Sequence, residues 1–222
     1  MNELTFRLRI DYGKIGRLRY LSHLELARAI ERVIRRSQLP FALSKGFNVH
    51  MKQAFGPALP VGTAGLHELL DIWLTAYVPA PEAYARLRLS TIPDLPINEV
   101  SYCATYAPSL QSSFVLSHYE AIIAISHMEE PARLEQVCSM LLESGSLTIS
   151  KKGKPKTIDL TSSLAEGPTL SMINDTMLKA TLTLRASAEG SVRPEALLNA
   201  AFGRLEGFRI IALTRTALHE EP

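Results

Sequence analysis

Cysteine is scarce: only Cys103 and Cys138 occur in 222 residues. They form no Cys-x-x-Cys pair for zinc, and an iron–sulfur cluster, which takes several thiolates, is excluded as well. Both stand among apolar neighbours and read as buried small hydrophobes. No run approaches the ~18 apolar residues of a membrane span, so no membrane partner is expected. The opening MNELTFRLRID lacks the apolar centre of a secretory signal, and a cytoplasmic protein is the expectation. A Walker loop, a dinucleotide glycine fingerprint and a serine-nucleophile elbow are all missing. Neither a cofactor nor a metal is expected.

Net charge is also small, +2, but it is unevenly spread. Residues 1–60 carry eleven Lys/Arg against four Asp/Glu, a net +7, and residues 61–222 carry thirteen against eighteen, a net −5. Such asymmetry points to one end made for an anionic partner.

Periodicity supplies the elements. FRLRI (6–10) alternates as a half-buried strand, and RLRY (17–20) reads as strand or loop. Ser22 with Glu25 three places on is a capping-box pattern. It opens a helix whose stripe is Leu26, Ile30, Val33 and Ile34, and Pro40 closes the segment. PFALS (40–44) reads as a short strand, 66–78 as a strand, 81–90 as a helix and 97–107 as a strand. The same order returns: strand 113–125, helix 131–144, extended pieces 146–150 and 156–160, strand 177–186, helix 193–203 and strand 208–218. The expected fold is α+β, two tandem ferredoxin-like βαββαβ units with antiparallel sheets. They would occupy residues 1–107 and 108–222, the second with an insertion near 151–176.

Between the strands lies SKGFNVHMKQAFGPALPVG (44–62), long and polar for a connection in a compact domain. In a βαββαβ sandwich the strand 1–helix 1 and strand 2–strand 3 loops share one end of the sheet. That topology would bring Lys14, Arg17 and Arg19 beside Lys45, His50 and Lys52. The start of helix 1 at Ser22–His23, with its free N–H groups, would point into the same corner and accept phosphate. Gly46, Gly56 and Gly62 would let backbone approach a ligand.

Arg28, Arg32 and Arg35 share one helix face and extend the basic surface, as phosphate-binding arginines or as a solvated face paired to Glu25 and Glu31. His23 and His50 are candidates for joint acid–base catalysis on a ribose hydroxyl, for a metal site, or for plain binding. Phe47 and Phe55 could stack on bases, with one of them expected to plug the core. Trp73 reads as core. KKGKPK (151–156) reads as a basic hairpin tip.

The stretch GRLRYLSHLELARAIERVIRRSQLPFALSKGFNVHMKQAFGPALPVG resembles the opening of the radical-SAM-linked protein family, a bacterial domain of unassigned function. Ser22, His23, Leu24 and Leu26 match its Arg-Phe-Leu-Ser-His-Leu-Asp-Leu motif, with Glu25 for the Asp. Gly46, Phe47, Asn48, His50 and Lys52 match Gly-Phe-Asn-Pro-His-Pro-Lys, with Val49 and Met51 in place of its prolines. Asn48 thereby joins the candidate binding set. TRTAL (214–218) is similar too, and KTIDLTSS more weakly.

The resemblance implies a radical-SAM partner with a cobalamin-type domain, since this chain has too few cysteines to hold the cluster. The fold plan is also similar to CRISPR RNA endonucleases and some pseudouridine synthases, a likeness of little functional weight. The expected function is an accessory protein that binds tRNA or rRNA beside a radical-SAM modification enzyme. The alternatives are a metal-independent RNA-processing enzyme using His23 and His50, or a protein-interaction scaffold.

Overall fold

The computed structural model describes residues 5–126, 131–151, 154–186, 192–203 and 205–221. The chain is α+β and divides into two units, Met1–Phe114 and Val115–Pro222. In the first, β1 (Phe6–Lys14) pairs antiparallel with both β3 (Ala64–Leu74) and β4 (Ile97–Cys103), and β2 (Gln53–Phe55) pairs antiparallel with β3. The strand order is therefore β4-β1-β3-β2. Alternation along β1 and β3 sends Leu8, Ile10, Leu70, Ile72 and Leu74 to one face. There they form one core with Leu26, Ile30, Val33 and Ile34 of α1 (His23–Arg36) and Ala83 and Leu87 of α2 (Ala80–Ser90).

Helix α1 begins where its sequence pattern predicts. Ser22 caps it, with Glu25 reaching back to the Ser22 amide. It ends as Gln38 turns left-handed (φ 56°) and Leu39 drops into the core. RLRY (17–20) belongs to a 3-10 turn, Gly16–Tyr20.

The second strand position differs from expectation. Residues 40–44 make only the isolated bridges Phe41↔Leu74 and Leu43↔Met51. Ala42 donates to the Trp73 carbonyl, Trp73 donates to that of Lys52, and β2 then pairs onward from Gln53. The edge strand is thus interrupted by an excursion, residues 43–51, rooted beside Trp73.

Trp73 corrects a second expectation. It alternates away from the helix-packed core and lies half-buried, with the Arg7 guanidinium 5.3 Å and Lys52 Nζ 4.7 Å from its ring centroid.

In the second unit, β5 (Leu116–Ala124) pairs with β9 (Met177–Arg185) and β10 (Arg209–His219), and β9 pairs with β8 (Leu164–Asn174). All are antiparallel, in the order β10-β5-β9-β8. Leu134 of α4 (Pro131–Glu143) and Leu197, Leu198 and Phe202 of α6 (Pro194–Phe202) are buried, as are Ala121, Ile123, Leu178 and Ala180 of the sheet.

The expected insertion near 151–176 contains β8 itself. The extra piece is a hairpin of β6 (Ser146–Lys151) and β7 (Lys154–Asp159), followed by the single-turn helix α5 (Leu160–Ser163). Its tip, Lys152 and Gly153 of KKGKPK, lies outside the described residues. The unit boundary falls after Phe114, not at 107, because the one-turn helix α3 (Leu110–Ser113) packs on β2 and β3 and buries Leu110. Among the described residues no helix is long and apolar enough to cross a membrane.

Candidate functional site

The β1–β3 register runs from Phe6↔Leu74 to Lys14↔Gly65, roughly 26 Å of strand at about 3.3 Å per residue. The turn after β1 lies at the Gly65 end, and the excursion is rooted at the Leu74 end. The single basic corner expected from topology is therefore split in two. The topological rule itself holds: Pro60–Gly62, the true β2–β3 turn, meets the β1–α1 connection, where Gly62 donates to the Arg19 carbonyl. Gly62 has φ 91°, which glycine adopts without strain. Lys45, His50 and Lys52 precede β2 instead of following it, which puts them at the other end.

At the Gly65 end the basic groups are engaged within the protein to different degrees. Lys14 is 1% exposed and donates to the Leu21 carbonyl at 3.0 Å. Arg17 reaches Asp94 at 3.5 Å while its side chain stays 96% exposed. Arg19 covers the Tyr20 ring and donates to its hydroxyl. The helix start carries a capping box: Glu25 Oε2 accepts from the Ser22 amide at 2.8 Å and from its hydroxyl at 2.7 Å. These bonds, with a smaller contribution from Arg28, hold the Glu25 carboxyl below its ordinary range. The capping carboxylate thus serves the Ser22 amide at the helix start.

His23 packs edge-on against Phe55, ring centroids 5.0 Å apart, and Phe55 itself leans on the core. His50 lies before the start of β2 with partners of its own, Nδ1 being 2.9 Å from the Asn48 carbonyl. The two histidines thus have separate partners, Phe55 for His23 and the Asn48 carbonyl for His50.

The Leu74 end keeps its cations. The excursion is braced internally. Ser44 donates to the His50 carbonyl at 2.7 Å, its hydroxyl accepts from the His50 amide at 3.1 Å, and Met51 is fully buried. From this base Lys45, Gly46, Phe47, Asn48, Val49 and His50 stand exposed, Phe47 completely so. The C-terminal end of α1 adjoins it, for the Arg35 guanidinium lies 5.0 Å from the Phe41 ring centroid. Arg35 is also bonded to Glu31, while Arg28, Arg32 and Arg36 are exposed.

Beside the root, Asp71 is fully buried and accepts from Arg7 at 2.6 Å and Arg9 at 2.8 Å. Cys103 is nearby, its thiol pushed up by burial and then by Asp71. Sequence reading missed this cluster, whose signal was the charged alternate positions of FRLRI facing Asp71 and Trp73. It also missed a polar groove in the second unit lined by His118, Glu166, Thr183 and His219. Among the described residues no group of three or more His, Cys, Asp or Glu is placed to hold a metal ion.

No curated protein sequence matches the chain. By structure it is similar to a chain of an H/ACA ribonucleoprotein bound to a substrate RNA containing 2'-deoxyuridine. That match has 12% identity and a TM-score of 0.51 over 97% of this chain and 49% of that one. It is similar also to a chain from a Cbf5-Nop10-Gar1 complex, at 12% identity and a TM-score of 0.55 over 97% and 50%. The chain spans about half the length of each, and at this identity the likeness is one of fold. A family model covers residues 7–194, and the chain belongs to that family, described as an uncharacterized protein conserved in bacteria (DUF2344).

Proposed function

We propose that this protein binds RNA, of the tRNA or rRNA class, through the 43–51 excursion and the C-terminal half of α1. The observation that carries the reading is Phe47, wholly exposed on a hydrogen-bonded base between Lys45 and Asn48. An aromatic ring held out among cations suits base stacking, worth about 1–3 kcal/mol per base, with phosphates neutralised beside it. Arg32, Arg36, Lys45 and Lys52 supply the charge. His50 and Asn48 offer polar contacts without catalysis. Each unit is read as one ferredoxin-like repeat, on the strand orders β4-β1-β3-β2 and β10-β5-β9-β8. A chain of similar fold belongs to a ribonucleoprotein bound to a substrate RNA, which supports the reading at the level of fold. The family resemblance adds a radical-SAM enzyme as the partner to which RNA is presented.

The test is binding of total tRNA and rRNA fragments by the whole chain and by Phe47→Ala. Loss of one stacked base predicts an affinity at least about fivefold lower with the fold intact. Unchanged affinity, or no binding at all, overturns the reading. Leu43 and Val49, 50% and 62% exposed, flank Phe47 and favour a second reading in which the tip docks a protein. That reading takes over if Phe47→Ala spares RNA binding and abolishes association with a purified radical-SAM partner.

A further inference from the structure

The second unit carries a groove of about 580 Å³, within the range of small-molecule sites. Its floor is the polar side of β5 and β9. Tyr119, Ala121 and Ile123 are buried on one face, and His118 and Glu120 alternate onto the other.

At its centre Thr183, 2% exposed, places Oγ1 2.6 Å from Glu166 Oε2 and 2.8 Å from His118 Nδ1. A threonine hydroxyl has one proton, and a carboxylate only accepts. The proton therefore goes to Glu166, and Thr183 Oγ1 accepts from His118 Nδ1–H. In the neutral imidazole this fixes the Nδ1–H tautomer of His118 and leaves its Nε2 as an acceptor. The His219 ring stands edge-on to His118, centroids 4.7 Å apart.

The strands are bent to make this arrangement. The pairing slips on both sides of Glu166 in β8, between Leu164 and Glu166 and between Glu166 and Thr169. It slips again in β10 between Arg215 and Ala217, opposite Tyr119 and His118. Bulges re-aim side chains and gather beside functional sites. Three of them around one His–Thr–Glu chain are more than a solvated sheet face requires.

The lining selects the ligand's chemistry. Glu120 and Glu166 outweigh Lys179, which lies 3.6 Å from Glu120, so a phosphate is disfavoured. The two carboxylates only accept, while the hydroxyls of Thr169, Thr181 and Thr216 both donate and accept. A vicinal diol suits such a lining, because each of its two neighbouring hydroxyls donates to a carboxylate and can accept from a threonine.

We propose that this groove binds a neutral molecule bearing a vicinal diol, a ribonucleoside or a free sugar, with Glu166 and His118 Nε2 accepting its hydroxyls. The proposal is independent of RNA binding, since it concerns the other unit and its probes carry no phosphate.

The test is an amide NMR titration of the full chain with adenosine, 2'-deoxyadenosine and ribose. Saturable shifts at His118, Thr183 and Glu166 are expected with adenosine, with ribose, or with both. Adenosine alone identifies a nucleoside site, and equal binding of ribose a sugar site. Glu166→Gln and Thr183→Val, each checked for an unchanged amide spectrum elsewhere in the unit, are expected to weaken binding about tenfold, as loss of a hydrogen bond to a charged group does. No saturable shift with any probe overturns the proposal. So does 2'-deoxyadenosine binding as well as adenosine, or an unaltered affinity in Glu166→Gln.

Discussion

Asp71 and Phe47 mark the two extremes of single-residue consequence in the first unit. Asp71 has no exposure, and two guanidinium groups converge on its carboxylate, one of them on the 4%-exposed Arg7. Arg7 also donates to the carbonyls of Ala107 and Pro108, so this cluster ties β1 to the segment after β4. Removing the carboxylate strands a buried cation, and Asp71→Ala is expected to cost about 3–5 kcal/mol in urea unfolding. A loss under ~1 kcal/mol would mean that the arginines reach water or another acceptor. Phe47 touches no core, and its truncation should leave stability within about 0.5 kcal/mol. A residue with so little structural cost attached to it is free to serve a partner. Cys138 is the opposite kind of group: burial pushes its thiol up to about 11, which keeps it protonated and inert near neutral pH.

At the scale of elements, α1 shows how a local signal becomes a testable energy. The Ser22–Glu25 box satisfies helix N–H groups, and Ser22→Ala should destabilise the protein by about 1 kcal/mol. The Glu25 carboxyl is held low in the folded state by its bonds to Ser22. Its contribution is therefore present above the ordinary carboxylate pKa and is lost as pH falls through the depressed folded value. Ser22→Ala should flatten that acid-side loss, measured by urea unfolding at pH about 7 and about 3. An unchanged pH dependence would show that other groups hold Glu25 low.

The same helix was legible in the sequence, because cap, stripe and Pro40 agree, and α2 and α6 were legible from the prolines at their starts. The second strand of each unit was not. Among the described residues β2 pairs only with β3, and β8 only with β9. The position of β2 is set by its partner β3, not by a continuous β run of its own, and β8 carries Gly167 and Pro168 within its bulged stretch. Misplacing β2 put the basic connection at the wrong end of the sheet, and misplacing β8 hid Glu166. Both candidate sites hang on those interrupted edges.

For the whole molecule, the charge distribution decides where a polyanion can settle. Of the eleven Lys/Arg in residues 1–60, Arg7 and Arg9 are spent on Asp71, Lys14 is buried, Arg35 is shared with Glu31 and Arg19 covers Tyr20. Arg17 stands with Asp94 at the far end from the excursion, and Arg28 is beside Glu25 in the first half of α1. Four exposed cations, Arg32, Arg36, Lys45 and Lys52, stand at the excursion end. Neutralising four phosphates of a single strand gives a slope of log affinity against log salt of about −3. Raising salt from ~50 to ~200 mM should therefore weaken binding about fifty-fold. Lys45→Glu with Lys52→Glu should remove two of the four contacts and bring the slope to about −1.5, whereas Arg17→Glu should barely change it. Glu166→Gln, in the acidic part of the chain, should leave the slope as it is. A slope equally sensitive to Arg17 would place the phosphates at the Gly65 end after all, and a slope near zero would leave Phe47 to a protein partner.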